Sequence, residues 1–171
     1  LLFMAIGMLF GIGGTSLISR MLGEGNSKKA KNASSFCFWT GLTIGVIAMV
    51  IIWIFATPVS RAIGASDETL GYTSQYLNIV AAAIPFLIVG NSFSNIIRSE
   101  GNAIIAMLGM IIGNLANIIL DPIMILGFGW NVAGAAIATV IGNVLAALFY
   151  IRHLLSKNTL LSIHPKHYLA K

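Results

Sequence analysis

Asp121 places a carboxylate inside a long apolar stretch of the sequence. Asn117 and Asn114 precede it on that stretch, and on a helix that turns about 100° per residue the three side chains fall within roughly a 60° arc. A carboxylate near the centre of a membrane helix costs about 2.5 to 3.5 kcal/mol on insertion, so it is rarely kept without a function. This polar stripe therefore predicts a cation site. The alternative is that Asp121 caps a helix break or bonds to a neighbouring helix.

Two kinds of cation fit these side chains. Sodium is a hard ion that binds carboxylate, amide and carbonyl oxygens, and Pro122 could add the carbonyl of Ile118, which loses its usual helical donor. A proton needs only the carboxylate of Asp121, whose affinity for protons rises on burial and falls on rehydration or near a cation. The residues leave open which of the two ions binds.

Further polar residues lie in neighbouring apolar stretches. Thr139 and Asn143 are four residues apart, so they share one face of the next predicted helix and could complete the same site. Ordinary hydrogen bonding between helices would explain these two residues as well. Tyr76 is a weaker candidate for the site, because residues of this kind more often pack or cap helices.

Long apolar stretches must supply the elements that position these side chains. The chain of 171 residues is 57% hydrophobic and 9% charged, with a mean hydropathy of +0.91, whereas soluble domains carry about 25% charged residues. Five windows lack Asp, Glu, Lys and Arg, and each can hold the roughly 20 apolar residues that cross a bilayer. We therefore predict an all-α polytopic bundle with spans near residues 1–22, 35–57, 73–97, 103–127 and 132–152.

Small residues and prolines predict how these spans pack. Glycines recur four residues apart in three spans, a spacing that lets helix backbones approach closely in lipid; the pairs are Gly7/Gly11, Gly41/Gly45 and Gly109/Gly113. Pro85 and Pro122 lie inside predicted spans, where each removes one backbone donor. We expect a kink or local unwinding at both prolines.

The basic residues predict an orientation. If the first span runs inward, nine of the ten Lys and Arg residues face the cytoplasm and only Arg61 lies outside. The net charge of +5 then reflects topology, with anionic lipids as neighbours and no nucleic acid as partner. Residues 1–155 would form a partial transporter lobe and residues 156–171 a cytoplasmic basic connector. The expected location is the cell membrane, in a bacterium the inner membrane.

Catalysis has almost no support in the sequence. The three histidines, His153, His164 and His167, lie in the basic tail without an acid or cysteine at ligand spacing. The glycine-rich stretch 11–14 opens no strand-loop-helix unit, so it is not a phosphate-binding loop. The one cysteine, Cys37, permits no internal disulfide. We predict that the protein is not an enzyme, and that it has no cofactor and no metal beyond a coupling ion.

Four segments, taken in order, resemble the multidrug and toxic compound extrusion (MATE) transporters over nearly the whole chain. They are GTSLISRMLGEGNSKKA (14–30), IIRSEGN (96–102), NLANIILDPIMILGFG (114–129) and VAGAAIATVIGN (132–143). The resemblance implies helices two to six of a twelve-helix, two-lobe transporter, with the first helix and the C-terminal lobe missing from this sequence. It further implies a proton- or sodium-coupled antiporter that exports drug-like organic cations.

In the DinF-type branch of that family, the resemblance implies a cation site that combines an acid of the first helix with Asn117, Asp121 and Thr139. Tyr76 would be a further candidate for this site. Two other functions stay open: a flippase for lipid-linked precursors in the same superfamily, and a membrane scaffold that transports nothing. The flippases tend to have a more cationic cavity, and no basic residue lies deep inside these spans.

Overall fold

The chain is a helical bundle in a computed structural model that describes residues 2–156 and 159–164. Its elements are α1 (Leu2–Gly23), α2 (Ser27–Ala62), α3 (Leu70–Ala81), α4 (Ile84–Ser99), α5 (Ala103–Pro122), a π-helical segment (Ile123–Gly127) and α6 (Asn131–Leu154). The described ranges contain no strand. This confirms the predicted all-α fold class. Much of the predicted connector, including Lys157, Lys166, His167 and Lys171, lies outside the described residues.

Four helical stretches of the described chain are long and apolar enough to cross a membrane, and there are five if the bent pair of α3 and α4 forms one span. The two helices meet at an angle of 51°, so the predicted third span contains a sharp bend. Pro85 lies in the first turn of α4, where the backbone N–H that proline lacks would have no helical partner. In the middle of a continuous helix the same proline would remove a backbone hydrogen bond. The kink predicted at this proline is confirmed.

Helix α2 is much longer than the span predicted within it. Its 36 residues correspond to about 54 Å of helix along a path that is kinked at Phe55, against a bilayer core of roughly 30 Å. The helix begins at a cap in which Asn26 accepts a hydrogen bond from the backbone N–H of Lys29 at 3.2 Å. The predicted span is shorter because hydropathy identifies only the apolar part of a helix, whereas the cap at Asn26 determines where the helix begins. Near the other end, Phe55 leaves helical geometry three residues before Pro58.

The predicted glycine pairs are points of close helix contact. A Cβ added to Gly7 would lie 3.2 Å from the carbonyl oxygen of Ile88, and one on Gly45 would lie 2.6 Å from Cα of Pro85. A Cβ would clash with the facing backbone at Gly45 and would crowd it at Gly7, so these glycines let α1 and α2 pack tightly against α4. The order of these contacts along the chain makes α1 parallel to α4 and α2 antiparallel to it.

These directions bring most of the charged groups to one end of the bundle. The C-terminal ends of α1, α4 and α6 and the N-terminal end of α2 share that end, which carries Arg20, Lys28, Lys29, Lys31, Arg98 and Arg152. Arg61 lies at the opposite end, 3.7 Å from an exposed Asp67 carboxylate. The larger hydrophobic core cluster lies toward the basic end and includes Phe93, Tyr150 and Leu161.

Residues 159–164 of the predicted connector dock on the basic end of the bundle. The Ser34 hydroxyl donates to the Ser162 carbonyl oxygen at 2.6 Å, and the Trp39 indole N–H donates to the Ile163 carbonyl oxygen at 3.2 Å. The Glu100 side chain, 2% exposed, accepts hydrogen bonds from the Thr159 hydroxyl and the Leu160 backbone N–H. This part of the connector is therefore fixed to α2 and to the turn that joins α4 to α5.

Candidate functional site

The site lies where α5 and α6 cross, and small residues make that crossing close. A Cβ on Gly142 would lie 2.7 Å from the carbonyl oxygen of Gly113. A Cβ on Gly113 would lie 3.0 Å from both the Gly142 carbonyl oxygen and the Ala146 Cβ. The two backbones therefore touch without intervening side chains, and residues one turn further along each helix come within hydrogen-bond reach of one another.

Asn117 on α5 faces Thr139 on α6 at this crossing. In one orientation of the Asn117 amide, its Nδ2 donates to Oγ1 of Thr139 at 3.4 Å. After a half-turn of the amide, Nδ2 donates instead to Oδ2 of Asp121 at 3.3 Å, and Oδ1 accepts from the Thr139 backbone N–H at 3.2 Å. The amide ends have nearly the same shape, so the partners decide between the orientations.

Asp121 lies beside this pair with an incomplete set of partners. Its side chain is half-buried, and among the described residues its buried Oδ1 has no hydrogen-bond partner. Buried carboxylate oxygens without hydrogen-bond partners are costly. The π-helical segment begins directly after Pro122, with the Phe128 N–H bonded to the Ile123 carbonyl oxygen at 3.1 Å. The backbone disturbance predicted at Pro122 is therefore present.

A cavity of about 380 Å³ opens next to the cluster, between α4, α5 and α6. Seven polar side chains line it: Asn91, Ser94, Asn114, Asn117, Thr139, Asn143 and Tyr150. Asn117 and Thr139 line the cavity, whereas Asp121 does not. Asn117 therefore lies between the cavity and the Asp121 carboxylate. None of the described residues that line the cavity is charged.

The predicted site residues are brought together to different degrees. Asn117, Asp121 and Thr139 form one cluster, and Asn143 is tied to it because its Nδ2 donates to the Thr139 carbonyl oxygen at 2.9 Å. Asn114 is exposed and lines the cavity one turn away. Tyr76 lies on α3, is 37% exposed and does not line the cavity. Its membership of the site stays a prediction.

Three lining residues were not expected from the sequence. They are Asn91, Ser94 and Tyr150. The hydroxyl of Tyr150 donates to the Ala106 carbonyl oxygen at 2.7 Å, and the Tyr150 ring fills the space opposite Gly109. The spacing of Asn91 and Ser94, one turn apart on α4, was the available signal, but isolated polar residues in a membrane helix usually serve packing.

The chain is similar to known proteins in both sequence and structure. The sequence profile of the MatE family matches residues 1–123. The chain belongs to the MatE family. The multidrug export protein MepA of Staphylococcus saprophyticus is 45% identical over 161 residues, which are 94% of this chain and 36% of that protein. MepA of Staphylococcus aureus is 39% identical over 170 residues, which are 99% of this chain and 37% of that protein.

Solved MatE-type structures have the same fold. An inward-facing multidrug resistance MATE family transporter of the MOP superfamily superposes with a TM-score of 0.91 at 29% identity, over 99% of this chain and 39% of that one. An outward-facing structure of such a transporter gives 0.88 at 30% identity, over 99% of this chain and 38% of that one. The chain therefore spans little more than a third of the relatives that it matches.

Membership of the MatE family confirms two predictions. Members of the family are transporters and not enzymes, and they need no cofactor. The chain is also part of a multi-pass membrane protein, as its apolar helices predicted. The assignment to the DinF-type branch stays a prediction.

Proposed function

We propose that this chain forms most of one lobe of a cation-coupled antiporter that exports drug-like organic cations across the cell membrane by alternating access. The observation that carries the proposal is the cluster of Asp121, Asn117 and Thr139 beside a cavity large enough for a small organic molecule. Export of drugs by the MepA relatives supports the direction and class of transport.

The coupling ion binds at Asp121, with Asn117 and Thr139 as neighbouring ligands or hydrogen-bond partners. The unpartnered Oδ1 of Asp121 provides the acceptor, and Asn114 and Asn143 extend the polar surface toward the cavity. Tyr76, on α3, stays a further candidate. An acid on a preceding helix, expected for the DinF-type branch, would complete the site.

The substrate binds in the cavity between α4, α5 and α6. Amide and hydroxyl groups of its lining offer both donors and acceptors, while Phe86, Leu87 and Met110 offer apolar surface for a ring system. A cationic substrate gains from the carboxylate of Asp121 close by, although it does not have to touch it. The negative charge of Asp121 thus attracts both the coupling ion and the cationic substrate. When the coupling ion neutralises that charge, the substrate is bound more weakly and its release is favoured.

The electrical driving force is sufficient for such an exchange. One positive charge that enters across 100 mV supplies about 2.3 kcal/mol. At about 1.4 kcal/mol for each tenfold ratio, this supports roughly a fortyfold substrate gradient. The similarity of the chain to inward-facing and outward-facing structures alike, with TM-scores of 0.91 and 0.88, supports movement of the lobe as one body.

The basic end of the bundle faces the cytoplasm in this proposal, in accord with the positive-inside rule. Residues 1–155 then form the lobe, and residues 156–171 connect it on the cytoplasmic side to the next part of the protein. The alternative flippase function is less well supported, because lipid-linked precursors carry negative charge and none of the described lining residues is basic. A scaffold without transport activity would not need a cavity of this polarity.

The decisive experiment is ion-driven efflux by the full-length protein that contains this chain. Cells that express it should accumulate less of a fluorescent organic cation than cells that carry the empty vector. Asp121→Asn keeps the shape of the side chain but loses its charge, so efflux should fall to the empty-vector level while the protein is still present in the membrane. Undiminished efflux by this variant would remove Asp121 from the mechanism. Equal accumulation with and without the wild-type protein would favour the flippase or the scaffold.

A further inference from the structure

The face of α4 that lines the cavity continues into Arg98. Asn91 and Ser94 contribute to the lining, and Arg98 follows Ser94 by four residues, so it lies one turn further along the same face. Its guanidinium reaches the edge of the cavity, because Nη2 donates to Sδ of Met110 at 3.4 Å, and Met110 lines the cavity from α5. Arg98 therefore lies at the basic end of the cavity, just outside its uncharged lining.

Asp121 extends the lining in the same way at the opposite end. On α5 the lining runs from Met110 to Asn117, and Asp121 follows Asn117 by one turn. Because α5 runs antiparallel to α6, Asp121 lies away from the basic end. Asp121 and the Arg98 contact at Met110 are about 16 Å apart along α5. The cavity thus has a carboxylate beyond one end, a guanidinium beyond the other and uncharged side chains between them.

The guanidinium of Arg98 has the capacity to bind an anion. The ion pairs in the described part of the chain do not include Arg98, which is an exposed residue. The Met110 sulfur is a weak acceptor, and it takes one of five N–H donors. A carboxylate matches the planar fork of arginine and accepts two hydrogen bonds from it at once. The missing partner of Arg98 is therefore best supplied by a carboxylate at the edge of the cavity.

We propose that Arg98 is a specificity-determining residue, which binds the anionic group of substrates whose other end is positively charged. This inference rests on the proposed function, since it requires that the cavity takes an organic cation near Asp121. It narrows the substrate class, because an amphoteric molecule satisfies both charges, whereas a simple cation satisfies one. The long side chain of Arg98 is exposed and can turn toward the cavity, so charge separations up to about 16 Å are accommodated.

The two charges also fix the direction in which an amphoteric substrate lies. Its amine points toward Asp121 and its carboxylate toward Arg98. The reverse direction would bring like charges together at both ends of the cavity, which is unfavourable. The amide side chains between the ends, such as those of Asn91, Asn114 and Asn143, offer donors and acceptors alike and favour neither direction.

The test compares two dyes that differ at one group. Rhodamine B carries a carboxylate and a delocalised positive charge, whereas its ethyl ester carries the positive charge alone. Fluorescence polarisation measures binding of each dye to the purified full-length protein in nanodiscs of neutral lipid, at neutral pH where the carboxyl group is ionised. Arg98→Gln should weaken binding of rhodamine B by about tenfold, the effect of a charged hydrogen bond, and change binding of the ester by less than about twofold. The ester also shows whether the variant is folded.

Further variants and a second lipid separate recognition from other roles of Arg98. Arg98→Lys keeps the positive charge and should recover part of the affinity for rhodamine B. Arg152→Gln removes an exposed charge from the same end of the bundle, away from the lining of the cavity, and should alter binding of neither dye. The effect of Arg98→Gln should persist when phosphatidylglycerol is added to the nanodiscs. Its loss there would assign the guanidinium to lipid phosphate and overturn the proposal.

The outcomes distinguish this inference from the proposed function. Equal binding of rhodamine B by the wild type and Arg98→Gln, or equal weakening of both dyes in Arg98→Gln, would show that Arg98 does not recognise the carboxylate. The proposed function would still stand in that case if efflux of the ester is lost in Asp121→Asn. If cells with and without the wild-type protein accumulate both dyes equally, the proposed function is wrong, and this inference with it.

Discussion

Gly142 on α6 lies against Gly113 on α5 so closely that a Cβ on Gly142 would be 2.7 Å from the Gly113 carbonyl oxygen. This contact sets the separation of the two helices one turn away from the polar cluster. Asn117 reaches Thr139 over 3.4 Å only because no side chain holds the backbones apart. The pair of glycines is therefore part of the site, although neither glycine carries a functional group.

Gly142→Val should disrupt the candidate site without altering any of its polar residues. Its side chain would meet the Gly113 backbone, and such overpacking costs about 1 to 3 kcal/mol, relieved here by separation of α5 from α6. We expect a lower unfolding temperature and loss of efflux in the full-length protein. Gly13→Val is the matched control, because an added Cβ at Gly13 meets nothing within 4 Å. Equal effects of the two variants would contradict a specific role for the crossing.

Tyr150→Phe tests how much the buried hydroxyl of Tyr150, a residue that lines the cavity, contributes to stability. The Tyr150 side chain is 1% exposed, and its hydroxyl donates to the Ala106 carbonyl oxygen at 2.7 Å. Loss of that hydrogen bond should lower the free energy of unfolding by about 1 kcal/mol. Tyr72→Phe, at a residue that is 64% exposed, should change it by less than about 0.5 kcal/mol. Thermal unfolding of both variants in detergent measures the difference, and a Tyr150→Phe protein as stable as the control would refute the argument.

The sequence allowed the polar stripe to be predicted because it depends on one helix. Asn114, Asn117 and Asp121 share a face by spacing alone, and an isolated carboxylate in an apolar helix is conspicuous. The approach of Thr139 depends on how two helices cross, so spacing could suggest it but not demonstrate it. Ser94 could not be recognised, because its contribution requires the bend at Pro85 and the packing of α4 against both α5 and α6.

The connector shows a second limit of sequence analysis. Its polar and basic composition favours a solvated tail, yet residues 159–164 are held by backbone hydrogen bonds from Ser34, Ser35 and Trp39. Main-chain atoms of the connector accept these bonds, and main-chain atoms are the same in every sequence. Leu161 is buried there and Ile163 packs against the core cluster, but two short apolar side chains within a polar segment are insufficient for a prediction of docking.

Glu100→Ala should release the connector from the bundle. The Glu100 carboxylate accepts from the Thr159 hydroxyl at 2.6 Å and from the Leu160 backbone N–H, and truncation leaves both donors without this partner. Hydrogen exchange at residues 159–164 should become at least severalfold faster. Glu100→Gln retains an acceptor oxygen and should have a smaller effect, and Glu24→Ala, at an exposed residue, should have none. Unchanged exchange in Glu100→Ala would mean that Ser34, Ser35 and Trp39 suffice to hold the segment.

Pro122→Ala should alter the position of Asp121 through the backbone. Proline at 122 withholds a donor from the Ile118 carbonyl, and the chain continues as a π-helical segment with its Phe128 N–H bonded to the Ile123 carbonyl oxygen. Alanine restores the donor and favours a regular α-helix, which removes the wide turn and rotates the residues after it relative to α6.

The protein should become more stable to heat, since alanine is the better helix former by about 3 kcal/mol in a helix interior. Efflux should nevertheless decrease, because Trp130 and the start of α6 are tied to the segment by the bond from the Trp130 N–H to the Met124 carbonyl oxygen at 3.1 Å. Efflux and thermal stability measured together decide the matter: a stabilised protein with normal efflux would show that the π-helical segment has no part in positioning Asp121.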